Sequence, residues 1–225
     1  MTLPIIVPAP VQSNFAWNAV AGRYIDLSTG RFVSSSVVRD ELELAMQSSK
    51  DSMKLISQQL IDGNLSLPEW QLQMMDNIKL AHLNAAMSAN GGWAQMSQSD
   101  WGFTGAKIKE QYKFLNNYAN QIYTGEQSLN GQILVRSNMY GDAARSTFEA
   151  MRLRYQLFEN NMTEERRVLG QADHCPGCLE QAALGWQPIG ELDEIGEEEC
   201  LTNCHCTKQY RRQEADGSFT ESEME

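Results

Sequence analysis

The chain has 225 residues, 42% of them hydrophobic and 21% charged, which suits one large domain or a domain with a small appendage. No run approaches the roughly 18 consecutive apolar residues of a membrane span. Residues 1–10 carry no basic residue ahead of their short apolar run, so no secretory signal is expected. The net charge of −11 is unevenly placed: residues 171–225 hold 13 acidic and 3 basic residues, and the rest hold 16 and 15. A near-neutral body with an acidic C-terminal quarter gains nothing from neutralising phosphates, so direct DNA binding is not expected.

In chain order, residues 1–21 read as an extended N-terminal arm, because Pro4, Pro8 and Pro10 remove backbone donors and fix φ. Tyr24-Ile25-Asp26 and Arg31-Phe32-Val33 flank Leu27-Ser28-Thr29-Gly30 as a short hairpin over 22–33. A helix capped by Ser34, Ser35 or Ser36 is predicted to run to about Ile61. Val38, Leu42, Met46, Met53, Ile56 and Leu60 fall on one face of it, and Gly63 stops it. Ser66-Leu67-Pro68-Glu69 has capping-box spacing and opens a second helix carrying Trp70, Met74, Ile78, Leu80 and His82. A loop with Trp93 and Trp101 is expected from Gly91 to about Thr104. A third helix then runs from about Ala106 to Tyr123, ahead of Gly125. A fourth helical stretch follows Ser128 and reaches about Asn160, with a kink or break near Gly141. Its Met and aromatic stripe reads as core.

From about Arg166 the helical period fades. Arg167-Val168-Leu169 and Lys208-Gln209-Tyr210-Arg211 read as strands on either side of a cysteine-rich segment, and the acidic tail over 213–225 reads as mobile. The expected fold is mainly α. It comprises an arm (1–21), a helical body (22–165) that opens on the hairpin, a small zinc-stapled α+β module (166–212) and the tail.

All five cysteines, Cys175, Cys178, Cys200, Cys204 and Cys206, lie in this last quarter. Cys175-Pro176-Gly177-Cys178 has the form of a metal knuckle: two thiolates separated by two residues can turn toward one ion, and four thiolates make a closed tetrahedral zinc site. Such a site replaces a hydrophobic core in a loop-rich module. The favoured ligands are Cys175, Cys178, Cys204 and Cys206. Cys200 is an alternative to Cys206 with Cys-x3-Cys spacing, and His174 and His205 are further nitrogen donors. Disulfides would leave one of five cysteines unpaired. A redox CxxC prefers a helix N-terminus after a strand, but no βαβ pattern surrounds this one. The chain has three histidines and lacks HExxH, G-x-S-x-G and a Walker loop. Glu197, Glu198 and Glu199 beside Cys200 read as a solvated acidic turn.

Asp173-His174-Cys175-Pro176-Gly177-Cys178, then Gly185, Pro188 and Asn203-Cys204-His205-Cys206-Thr207, resemble the C-terminal signature of tailed-phage minor head proteins, the head-morphogenesis family typified by the F protein of phage Mu. The resemblance covers about 40 residues, and Leu201-Thr202 stands where the family commonly has His-Pro. It implies that Cys204 and Cys206 form the closing pair. It also implies a non-enzymatic virion protein, multimeric in the particle, assembled in the host cytoplasm and associated with portal, capsid or neck proteins. The alternative is a zinc-dependent or thiol-redox enzyme on a helical scaffold.

Overall fold

The structure, a computed structural model, describes residues 14–18, 21 and 23–222. Most of the expected arm therefore lies outside the described residues. Its C-terminal part is β1 (Phe15–Asn18), which pairs antiparallel with β2 (Arg23–Asp26), and β2 pairs with β3 (Phe32–Val33). The hairpin is thus the edge of a three-stranded sheet. Phe15 joins it because its ring is buried with Tyr24 and Val38, a small apolar cluster that the hairpin alone would leave open.

α1 (Ser35–Ile61) and α2 (Leu67–Ala89) form the central pair of the helical body. The Ser66 capping box at the start of α2 is complete, with the Ser66 hydroxyl accepting from Glu69 N and the Glu69 carboxylate accepting from Ser66 N. The six apolar residues predicted for one face of α1 are all buried. α3 (Gln98–Thr124) begins about eight residues earlier than the sequence pattern suggests. Ser97 and Asp100 make a second capping box there, and Gly102 and Gly105 lie on the exposed side of the first turns, where helix-breaking residues meet no opposing packing.

The fourth stretch is two helices, α4 (Gly131–Asp142) and α5 (Ala144–Phe158), broken at Ala143 beside the expected kink. Gly141 sits where α4 crosses α1, and a Cβ there would collide with the Lys50 side chain. Two apolar clusters result. One joins Leu42, Met46, Ala85, Phe148 and Met151; the other joins Met53, Ile56, Trp70, Met74, Leu115, Tyr118 and Ile133. A buried chain of hydrogen bonds crosses the second: Trp70 Nε1 donates to Ser57 Oγ (2.9 Å), Ser57 to Ser137 Oγ (2.6 Å), and Ser137 to the Ile133 carbonyl (2.7 Å). Every group in that chain is satisfied, which is what makes three polar side chains tolerable in the core.

The C-terminal quarter is built on a sheet of order β5-β4-β6-β7, formed by β4 (Glu164–Val168), β5 (Gln187–Pro188), β6 (Thr207–Gln213) and β7 (Phe219–Glu221), all antiparallel. The short α6 (Pro176–Ala183) lies between β4 and β5. The fold is therefore mainly α with a small α+β module. The tail differs from expectation. An Asp216 turn, in which Asp216 Oδ1 accepts from Ser218 N, folds β7 back onto β6. The Arg211 guanidinium stacks 4.0 Å from the Phe219 ring, so the acidic segment is paired as far as Glu221.

Candidate metal centre

The register of β4 and β6 builds the site. Val168 stands opposite Thr207, so the chain leaving β4 and the chain entering β6 are adjacent, and Cys206 immediately precedes Thr207. Cys175 is the N-cap of α6 and Cys178 lies in its first turn. Cys200 and Cys204 flank a single 3-10 turn, Leu201–Asn203. Leu201 there has φ +46, a left-handed conformation that costs a branched residue about 1–2 kcal/mol.

These elements bring all five sulfurs together. Cys178, Cys204 and Cys206 are buried, and Cys175 and Cys200 are half-buried. Cys178 Sγ lies 3.6 Å from Cys200 Sγ and 3.7 Å from Cys204 Sγ. Within two groups, Cys175/Cys178/Cys200 and Cys178/Cys204/Cys206, every sulfur is within 4.8 Å of the others. A tetrahedral zinc with bonds of about 2.3 Å sets sulfurs about 3.8 Å apart, so the two short separations match the edge of a metal-thiolate shell. All four favoured ligands are in the cluster, and so is their alternative, Cys200.

The charge environment also fits a metal. Arg167 is buried at 3% exposure. It donates to Cys178 Sγ (3.5 Å) and to the carbonyls of Asp193 (2.6 Å) and Glu194 (3.3 Å). Among the described residues no carboxylate forms an ion pair with it. A buried guanidinium needs a counter-charge; Arg167 contacts the cluster through Cys178 Sγ and attracts the Glu198 carboxylate electrostatically. Hydrogen bonds, chiefly from Cys206, pull the Cys204 thiol down to about 4. Burial pushes the Cys178 and Cys200 thiols up, and bonding to Cys204 pushes Cys206 up.

Two of the three histidines stand apart from the sulfurs. His205 is exposed. His82 is buried in the helical body, with Nδ1 2.7 Å from Thr147 Oγ1. His174 is beside the cluster: its Nε2–H donates to the Gly170 carbonyl (2.9 Å), which leaves the Nδ1 lone pair facing Cys206 Sγ at 3.7 Å. Gly170 itself packs against the His205 carbonyl so closely that a Cβ would overlap it. Of the acidic run, Glu199 accepts from Gly177 N (3.2 Å) and Glu197 from Glu194 N (3.0 Å), so both hold loop backbone.

Sequence reasoning missed the inward charges of the sheet. In Glu164-Glu165-Arg166-Arg167-Val168 it is Glu165 and Arg167 that face inward. Glu165 is fully buried and pairs with Lys208 Nζ at 3.0 Å. It also accepts from Gly190 N (3.1 Å) and Leu192 N (3.3 Å), and Lys208 donates to the Leu192 carbonyl (3.0 Å). This pair ties the loop behind the cysteines to the sheet. Period-2 alternation was the available signal, but an all-polar strand gives no clue which face is inside.

The site is joined to the helical body through Thr207. Its hydroxyl accepts from Arg39 Nη2 of α1 (2.6 Å) and Arg152 Nη1 of α5 (3.0 Å), and donates to the Glu149 carboxylate of α5 (3.2 Å). Among the described residues no helix is long and apolar enough to cross a membrane. Comparison of the chain with protein-family models, with curated proteins and with solved structures returns no match, so its fold and site stand on their own geometry.

Proposed function

We propose that this chain is a non-enzymatic assembly component whose C-terminal module is held in shape by structural zinc bound through the cysteine cluster. The observation that carries the reading is the gathering of five cysteines, three of them buried, in one cluster beside the buried Arg167 guanidinium. Zinc among thiolates, with a guanidinium offsetting their charge, is a closed structural centre, and its binding free energy is folding free energy for the loop. Thr207 and the Glu165–Lys208 pair transmit that rigidity to the helices and the sheet, giving a fixed face for a partner. With the resemblance of residues 173–207 to phage minor head proteins, we place the protein in the virion, multimeric and bound to portal, capsid or neck neighbours, without membrane or direct DNA contact.

Two measurements test this. Purified protein should contain zinc, and Cys175→Ser should weaken its retention and make residues about 167–210 sensitive to limited proteolysis while the helical body stays intact. Unchanged metal content would refute the structural centre. Labelling in intact particles should place the protein at the portal or neck, and absence from particles would refute the virion role.

A second reading, a thiol-redox enzyme, draws on Cys175 standing at the N-cap position of α6 with Cys178 in its first turn, the placement of a redox CxxC. It requires Cys175 to alkylate rapidly near pH 6 in the metal-loaded protein. The structural reading requires alkylation to be fast only after metal removal.

A further inference from the structure

We infer that the cysteine cluster holds two metal ions bridged by the Cys178 thiolate, and not one ion with a spare cysteine. The inference rests on the metal reading above and concerns what that reading leaves unexplained, the fifth thiol. A single tetrahedral ion needs four donors around one point. The sulfurs instead gather as two threes that share Cys178, and no four of them are mutually within 4.8 Å among the described residues. Each three contains one separation of metal-shell length from the shared sulfur, 3.6 Å to Cys200 in one and 3.7 Å to Cys204 in the other. A thiolate sulfur has lone pairs enough to bind two ions, so a shared vertex is the natural place for a bridge.

The surroundings set a further donor beside each three. On the buried side, His174 Nδ1 is 3.7 Å from Cys206 Sγ, close to the nitrogen-to-sulfur edge of about 3.6 Å in a tetrahedral zinc site with bonds of about 2.0–2.1 and 2.3 Å. Its other nitrogen is committed to the Gly170 carbonyl, the outer hydrogen bond that metal-bound histidines make. This assigns Cys178, Cys204 and Cys206 to one ion, with His174 Nδ1, beside Cys206, as the nitrogen donor nearest its fourth position. Cys175, Cys178 and Cys200 hold the other, with the Glu199 carboxylate beside Cys175.

The test counts ions in the full chain. Apo protein, prepared with chelator and reductant, is titrated with Cd2+ and followed by native mass spectrometry and 113Cd NMR. The expected result is two ions per chain and two resonances with scalar coupling through the shared sulfur. Cys206→Ser should lose the resonance of the Cys204 ion and keep the other, Cys200→Ser should do the reverse, and Cys178→Ser should abolish the coupling. Saturation of the unmodified chain at one ion, with a single resonance, overturns the inference while leaving the structural metal intact. Saturation at no ion refutes the metal reading itself. The count on the unmodified chain does not depend on whether any variant folds.

Discussion

Replacing Glu165 by Gln isolates the charge of the buried Glu165–Lys208 pair. The amide keeps an oxygen for Gly190 N and Leu192 N, 3.1 and 3.3 Å away in the native protein, so the loop retains its anchor. It leaves the Lys208 ammonium, 4% exposed in its side chain, hydrogen-bonded to the amide oxygen and the Leu192 carbonyl but with no counter-charge. Removing one member of a buried pair costs about 3–5 kcal/mol, because the other charge is stranded. The retained hydrogen bonds place Glu165→Gln at the lower end, about 3 kcal/mol. Adding Lys208→Met removes the stranded charge, so the double variant should lose only about 1 kcal/mol, about 2 kcal/mol less than Glu165→Gln alone. The assay is urea unfolding at fixed free zinc, with hydrogen exchange at Gly190 and Leu192 reporting where the structure opens. A loss below about 1 kcal/mol for Glu165→Gln, or no relief from the second change, would refute the claim that this pair fastens the loop.

Other outcomes follow from the same structure. Thr207→Val removes the one hydroxyl that bonds Arg39, Arg152 and Glu149; it should cost about 2 kcal/mol, and hydrogen exchange should rise in β6 before it rises in α2. Ser57→Ala strands the buried Trp70 indole N–H and should lower stability by about 2 kcal/mol, measured by urea unfolding, with a shift in tryptophan emission. Burial, and secondarily the charge of Lys107, pushes His82 down to about 4 from 6.5. The unfolded chain therefore takes up the proton first, so the contribution is complete above about pH 6.5 and falls away by about 3 kcal/mol as the pH drops to 4. Unfolding midpoints between pH 7 and 4.5 should show that slope, and His82→Gln should flatten it.

The helical body was legible because its signals are local. Ser66 and Glu69 specify a start and Gly63 a stop, and the α1 stripe from Val38 to Leu60 specifies a face. The start of α3 was hidden because Gly102 and Gly105 read as loop, while the deciding signal, Ser97 with Asp100, uses an Asp where the commoner box has Glu or Gln. β1 was hidden for a different reason. Four residues, Phe15 to Asn18, carry no period of their own, and they become a strand only because β2 offers an unpaired edge and Tyr24 a surface to cover.

In the cysteine segment the sequence shows which residues gather but not how they divide. Spacing pairs Cys175 with Cys178 and Cys204 with Cys206, and that pairing suggests one ion with Cys200 in reserve. Space divides them otherwise: α6 turns Cys178 inward to the centre, and the 3-10 turn at Leu201–Asn203 sets Cys200 on one side of it and Cys204 on the other. The counter-charge comes from yet another stretch, Arg167 of β4, eight residues before the first cysteine. A strand places that guanidinium under a helix N-terminus only when β6 fixes its register. The position of that guanidinium beside Cys178 is therefore decided by sheet pairing, Arg167 opposite Lys208, and not by the cysteine motif. Arg167→Gln tests the counter-charge directly. With neutral Gln there, the chelator concentration that strips half the metal should fall about tenfold, since a hydrogen bond to a charged group contributes about 1.5 kcal/mol. If retention is unchanged, the arginine is not the counter-charge of the sulfurs.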